Sequence, residues 1–502
     1  MIPLVPKDGN TAIRAGIFVL LVAVTNTLQT GSSDEAAAER TSAYWRDEAL
    51  KDLKLKISRI PNEGKARNVV FFLGDGMGVA SVAGGSILKA EQSGRTYSRN
   101  TKLQMERLPF SGLVKTHSID GITPDSAATS TAYLCGVKTN NGMLGLLGSV
   151  PRGDCAASLE QQNQIDSVIK WAQANDMWTG IVTTDSVLGA SPAGGYAHSA
   201  ERKWYSSVPE GCAAKDIADQ LLFGSVGSKM KVILGGGLQD FLPPSYPAEG
   251  EERIENLTAQ NSTGVRKDER NLIREYLEAN EKSRFVSTRE QLLQVDPDSV
   301  DRLLGLFSKD ALTFTLDRDP DFNTEPTIEE MTEIAIRILS NAPHGFFLFV
   351  EGGNIDTAHH SNKAKHSLEE VIQFDKAIEL VANTVSFEDT LVLVTADHSH
   401  GVSISGYSSR AQSITGDSDS MDLENKTYRI ISYPTGPGED YPSLVKMTSG
   451  AHSAEDVPIY ASGPWAHLFE GSIDNTLIPN IIAHAACIGP FQGGKCLRKK
   501  VE

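Results

Sequence analysis

Residues 69–73 read Val-Val-Phe-Phe-Leu, apolar at every position, and short β-rich apolar runs of this kind recur at 68–73, 179–184, 231–234, 345–350, 390–395 and 457–461. A strand with one wet face alternates polar and apolar side chains, so a continuously apolar strand needs cover on both faces. The cover is written between the runs. Residues 164–174 place Ile165, Val168, Ile169 and Ala172 at helical spacing, and 328–339 and 367–384 carry similar patterns. Strands alternating with helices predict an α/β fold, a three-layer sandwich with a mostly parallel central sheet. Two stretches break the rhythm: 243–289, which is charged, and 399–448, rich in Ser, Gly, Asp and Pro. Both read as insertions decorating one core domain.

At 502 residues, with 40% hydrophobic and 22% charged side chains, the chain is long enough for a large buried core and unlike a disordered or polytopic membrane protein. A formal charge of −17 disfavours non-specific nucleic-acid binding. Lys7 and Arg14 precede an apolar run at 15–24, about half the roughly 20 residues needed to span a bilayer. Residues 1–31 therefore read as a signal peptide, an uncleaved anchor being the alternative, and the mature chain is expected to be secreted without a transmembrane segment. Sequons at Asn256, Asn261 and Asn425 agree with export. Five cysteines show no CxxC pair. In an exported protein Cys155 is expected to pair with Cys212 and Cys487 with Cys496, leaving Cys135 as a buried thiol. The C-terminus, Lys-Cys-Leu-Arg-Lys-Lys-Val-Glu, has no hydrophobic tail, so no GPI anchor is expected.

Three of the apolar runs close on acids: the first on Asp75, the fourth on Glu351 and the fifth on Asp397-His398. One Asp after a strand is more often a helix cap or a turn residue. Three at the carboxyl ends of strands in an open α/β sheet lie where such sheets bind ligands, and crowded carboxylates need a cation. Asp356 and His360 are spaced i, i+4, which puts both on one helix face, and His452 follows in a Gly-Ala-His-Ser loop. Imidazole with carboxylate suits zinc, while all-oxygen ligation suits magnesium. Ser126, in Thr-Pro-Asp-Ser-Ala-Ala, reads as the opening of a helix, where its hydroxyl and the backbone N–H groups face an anion. A capping serine is the plainer alternative.

Taken together, Gly-Asp-Gly-Met-Gly at 74–78, Pro-Asp-Ser-Ala at 124–127, Val-Glu-Gly-Gly-Asn-Ile-Asp-Thr-Ala-His-His at 350–360 and Thr-Ala-Asp-His-Ser-His at 395–400 resemble the alkaline phosphatases, most closely the animal form, in order and spacing. The resemblance implies a catalytic domain over 43–490 that hydrolyses phosphate monoesters through a phosphorylated Ser126. It implies a zinc on Asp356, His360 and His452 that activates water, a second zinc on Asp75, Asp397 and His398 that lowers the pKa of Ser126, and a magnesium on Asp75, Ser191 and Glu351. Arg202 matches the arginine that clamps phosphate oxygens, a task suited to a planar guanidinium; a salt bridge is its plainer reading. Four carboxylates at −4 against three divalent ions at +6 leave about +2 for a phosphomonoester dianion. The insertion at 399–448 corresponds to the family's crown, and with a helix near 44–53 the resemblance suggests a homodimer.

Departures from the family also set expectations. Vertebrate members have histidine, and bacterial ones acidic or basic groups, where this chain has Gly189 and Thr357. Without those side chains, magnesium is expected to be held less firmly. The positions matching the animal calcium site are Ser245, Phe307, Ser308 and Glu325, with one carboxylate among them, so calcium is doubtful. A phosphodiesterase or sulfatase on the same scaffold would typically offer a threonine or a modified cysteine in place of Ser126. A catalytically silent binding module would not be expected to keep the whole ligand set.

Overall fold

The computed structural model describes residues 37–246, 264–320, 324–493 and 496. The 1–31 leader and the sequons at Asn256 and Asn261 lie outside the described residues. Two compact units are present. The smaller contains the helix α1 (Ser42–Ile57), opened by the Thr41 side chain accepting from the Tyr44 N–H and burying none of its residues. It covers the helix expected near 44–53.

The larger unit is built on ten strands: β1 (Asn68–Gly74), β2 (Phe110–Lys115), β3 (Trp178–Ser186), β4 (Val232–Gly236), β5 (Ser283–Val286), β6 (Arg302–Leu306), β7 (Phe346–Gly352), β8 (Thr390–Ala396), β9 (Val457–Ser462) and β10 (Gly471–Asp474). Their order across the sheet is β10-β2-β9-β8-β1-β7-β3-β4-β6-β5. Only β9 runs against its neighbours β8 and β2, so the sheet is mostly parallel as expected.

Every residue of β7 and β8 is buried, and all but the first of β1. The two faces are covered by different helices, which the consecutive Phe71 and Phe72 show because neighbouring strand residues point oppositely. Phe71 meets Tyr133 of α2 (Ser126–Cys135) edge-on at 5.6 Å between ring centroids. Phe72 meets Phe374 of a long helix, Ala364–Thr384, at 5.7 Å. The other expected elements also form, the helix at 164–174 being shorter, Val168–Gln173.

The stretch 399–448 forms short strands, among them Asp417–Met421 and Ile431–Gly436. Its Ile414, Ile430, Ile431, Tyr433 and Tyr441 pack with Leu368 and Ile372 of the long helix as a small second core. Asn425 sits exposed in a turn at φ 59°. Both expected cysteine pairs, Cys155–Cys212 and Cys487–Cys496, are bonded, and Cys135 is a buried free thiol. Among the described residues, no helix is long and apolar enough to cross a membrane.

Candidate metal centre

Parallel register brings the three acidic strand ends side by side. Leu73 of β1 pairs with Glu351 of β7 on one side and with Thr395 of β8 on the other, so Asp397, Asp75 and Glu351 emerge at nearly one level. Gly76, at φ +67°, turns the chain so that its N–H donates to Asp397 Oδ1 at 3.0 Å. A Cβ there would lie 2.7 Å from His400 and 2.9 Å from Asp356 Oδ1, so glycine is required on two counts.

Asp75, Asp397 and His398 offer atoms within 4.8 Å of one another. His398 Nε2 lies 3.1 Å from Asp397 Oδ2, 3.4 Å from Asp75 Oδ1 and 3.3 Å from Ser126 Oγ. Ser126 begins α2. Asp125 caps that helix by accepting from the Ala128 N–H at 3.0 Å, while its second oxygen accepts from the Gly142 N–H at 2.9 Å and from Arg202 at 3.0 Å. One carboxylate thus positions both the serine and the arginine. Ser191, in a short helix Ala190–Ala193, donates to Asp75 Oδ2 at 3.3 Å.

Asp356 and His360 share the helix Asn354–His360, as their spacing implied, and meet at 3.2 Å. His452 Nε2 lies 3.6 Å from Asp356 Oδ1 and 3.1 Å from His360 Nε2. The ring of His452 stacks on that of His398 at 3.5 Å. All ten residues singled out in the sequence therefore gather around the carboxyl ends of β8, β1, β7 and β3.

Two groups within this gathering were not assigned a role from the sequence. His400 pairs with Asp356 and joins Asp356, His398 and His452 in a second cluster within 4.8 Å. It reaches the site because Ser399–His400 pairs antiparallel with His452–Ser453. Its signal was the spacing of two from His398, which returns an extended chain to the same side. Asp185, near the end of β3, is the other. The rule that found Asp75 applied to it unchanged, since it follows the fourth-from-edge apolar run directly.

The electrostatics of the pocket demand positive charge. Burial raises Asp75 well above the ordinary carboxylate range, and Asp397, Asp356 and Glu351 add to the rise. Burial lifts Asp397 to about 6 despite the Gly76 N–H. Glu351 rises to about 8 through burial and the nearby Asp185, against the pull of the Thr183 hydroxyl, which donates to it at 2.5 Å. Burial likewise lifts Asp185 to about 6. Burial would also raise Asp356, but His400 and His360 outweigh it and hold it well below its usual range.

The donor set fits divalent cations. Asp75 Oδ1, Asp397 Oδ2 and His398 Nδ1 are buried without a hydrogen-bond partner, a costly state for polar atoms. His360 Nδ1 faces the Gly450 carbonyl at 2.5 Å and His452 Nδ1 the Pro124 carbonyl at 3.0 Å. Carbonyls only accept, so each Nδ1 carries the proton and both Nε2 lone pairs face each other beside Asp356. Lone pairs so placed repel unless a cation lies between them.

The alkaline phosphatase family matches residues 66–488. The tissue-nonspecific alkaline phosphatase of Felis catus is 39% identical over 484 residues, covering 90% of each chain. Among solved structures, the alkaline phosphatase of Thermus thermophilus superposes with a TM-score of 0.64 at 23% identity, over 85% of this chain and 92% of that one. A variant of TAB5 alkaline phosphatase, described with magnesium bound in its M3 site, gives a TM-score of 0.60 at 23% identity, over 85% and 99%.

Proposed function

From the premise that this chain belongs to the alkaline phosphatase family and is a hydrolase of phosphate monoesters, we propose that it works through a covalent phosphoserine at Ser126, assisted by two zinc ions and one magnesium. The observation that carries this reading is the placement of Ser126, buried at the start of α2 with its hydroxyl 3.3 Å from His398 and its capping neighbour Asp125 bonded to Arg202.

Asp356, His360 and His452 would hold one zinc, Asp75, Asp397 and His398 the other, and Asp75, Ser191 and Glu351 the magnesium. When bound, these ions supply Lewis-acid charge that steadies phosphoryl oxygens and acidifies hydroxyl groups and water. Metal dependence of the family and the magnesium of the TAB5 variant support the assignment.

The chain's own groups do the rest. The first N–H groups of α2 face the phosphoryl oxygens, with the helix dipole behind them. Arg202, held in place by Asp125, forks onto two non-bridging oxygens. Ser126 Oγ attacks phosphorus, the ester P–O bond breaks, and the leaving oxygen takes up a proton and departs as the alcohol. Water then attacks the phosphoserine, the P–Oγ bond breaks, and inorganic phosphate leaves with configuration at phosphorus retained.

Secretion and a homodimer with the 399–448 crown at its contact belong to the same proposal. Calcium does not: Glu325 is engaged by the Thr313 N–H and hydroxyl at 2.8 and 3.0 Å, and Ser308 donates to the Asp310 and Ala311 carbonyls.

The test is hydrolysis of a chromogenic aryl phosphomonoester from pH 7 to about 10 in zinc- and magnesium-loaded protein, beside Ser126→Ala. The expected result is metal-dependent turnover rising toward alkaline pH and lost in the variant. Turnover that survives Ser126→Ala at the wild-type rate overturns the phosphoserine.

A further inference from the structure

The chain lacks side chains at Gly189 and Gly353, each two residues from a proposed magnesium ligand, Ser191 and Glu351 respectively. The space is used. A Cβ on Gly189 would lie 2.7 Å from Asp185 Oδ2, and one on Gly353 would lie 2.7 Å from Asp185 Cβ. Asp185 thus fills the gap between Gly189, just before the helix that carries Ser191, and Gly353, just after the strand that carries Glu351.

Its reach toward Glu351 follows from the register. Thr183 of β3 pairs with Glu351 of β7, and the Thr183 hydroxyl accepts from the Asp185 N–H at 2.8 Å while donating to Glu351 Oε2. Asp185 and Glu351 are close enough to repel one another. Arg202 is the cation facing Asp185, with Asp310 and Asp356 as further acids. On the Ser191 side it is Asp75 Oδ2, accepting from the Ser191 hydroxyl at 3.3 Å, that would complete the ligand set with Glu351.

We propose that Asp185 is a positioning carboxylate for the ion shared by Asp75, Ser191 and Glu351, orienting the ion's bound water from the space that the two glycines open. The inference rests on the magnesium reading above. It changes the premise behind the expectation of a slack magnesium site, because the side chain missing at position 189 is replaced by one arriving from the adjacent strand. Counted with Asp185, five carboxylates at −5 against three divalent ions at +6 leave about +1 rather than about +2, so phosphate should be held less tightly than the first tally implied.

The experiment titrates magnesium into zinc-loaded protein by equilibrium dialysis with metal analysis, comparing wild type with Asp185→Asn and Gly189→Ala. The second variant crowds the Asp185 carboxylate without removing its charge. The expected result is a magnesium dissociation constant raised tenfold or more in Asp185→Asn, at unchanged zinc content, with a smaller rise in Gly189→Ala. A constant within twofold of wild type in both variants overturns the proposal. If Asp185→Asn does not fold, Gly189→Ala alone decides on the same twofold criterion. Glu351→Gln separates the two levels. Magnesium lost there but retained in Asp185→Asn refutes Asp185 only, whereas magnesium retained in Glu351→Gln refutes the underlying assignment.

Discussion

Replacing Asp125 with alanine removes three bonds from one carboxylate. The cap of α2 through the Ala128 N–H costs about 1 kcal/mol. The buried Gly142 N–H, left without its acceptor, costs about 1–3 kcal/mol. The Arg202 pair is partly exposed, with side chains 25% and 21% accessible, so it contributes only about 0.5–1 kcal/mol. The sum is about 2.5–5 kcal/mol, read as a shift in urea midpoint at fixed zinc and magnesium. Asp125→Asn keeps the capping oxygen but turns an amide donor toward the Gly142 N–H and Arg202, so it should recover only the cap, about 1 kcal/mol. Activity supplies a second readout. Released from Asp125, Arg202 loses its preset orientation, and the inhibition constant of inorganic phosphate should rise about tenfold in both variants. An alanine variant within about 0.5 kcal/mol of wild type, the range of a neutral surface change, would refute this account of the loop.

Two further outcomes follow from parts remote from the site. Cys155–Cys212 closes a separation of 57 residues and Cys487–Cys496 one of 9, so loop-closure entropy assigns about 4 and about 3 kcal/mol to them; paired Cys→Ser variants compared by urea unfolding should show the first loss larger, and the reverse order would count against an entropic origin. Burial raises Glu330, but hydrogen bonds from Arg289 and the Thr327 cap outweigh it, leaving the carboxyl below its ordinary 4.5. A depressed carboxylate stabilises above its unfolded value and loses that contribution as pH falls through the folded one. Glu330→Gln, which can keep the capping box, should therefore cost about 1 kcal/mol at pH 7 and converge on wild type as pH falls through the depressed folded value; a constant difference measured by thermal unfolding would contradict the sign.

The strands readable from sequence were β1, β3, β4, β7, β8 and β9, each largely buried on both faces. The four that escaped explain themselves. β2 alternates buried and exposed positions around Gly112, β5 has four residues, β6 lies within the Leu-rich 302–306 between charged turns, and β10 is exposed or half-buried throughout. Single acids at strand ends could be read because parallel register levels them, which is a property of the fold class. His400 and Asp185 carried comparable local signals, but their places in the site could not be read, for opposite reasons. His400 depends on a two-residue pairing with His452 across more than fifty positions of insertion. Asp185 depends on two glycines elsewhere in the chain, and a missing side chain announces nothing about what fills its place.

The spatial order of the sheet also imposes a timetable. β1 lies between β7 and β8, and its Asn68 hydrogen-bonds Thr390, 322 residues further along. At a synthesis rate of roughly 5–20 residues per second, the first strand of the sheet waits about 15–65 s for its last neighbour. For most of that interval Val69 to Leu73 are apolar on both sides with neither permanent partner strand made, β7 arriving only about 40 residues before β8, and throughout it Asp75 has neither Asp397 nor His398 beside it. A nascent chain arrested before β8 should therefore hold no half-formed pocket, and cation capture becomes an event that can only follow the synthesis of β8.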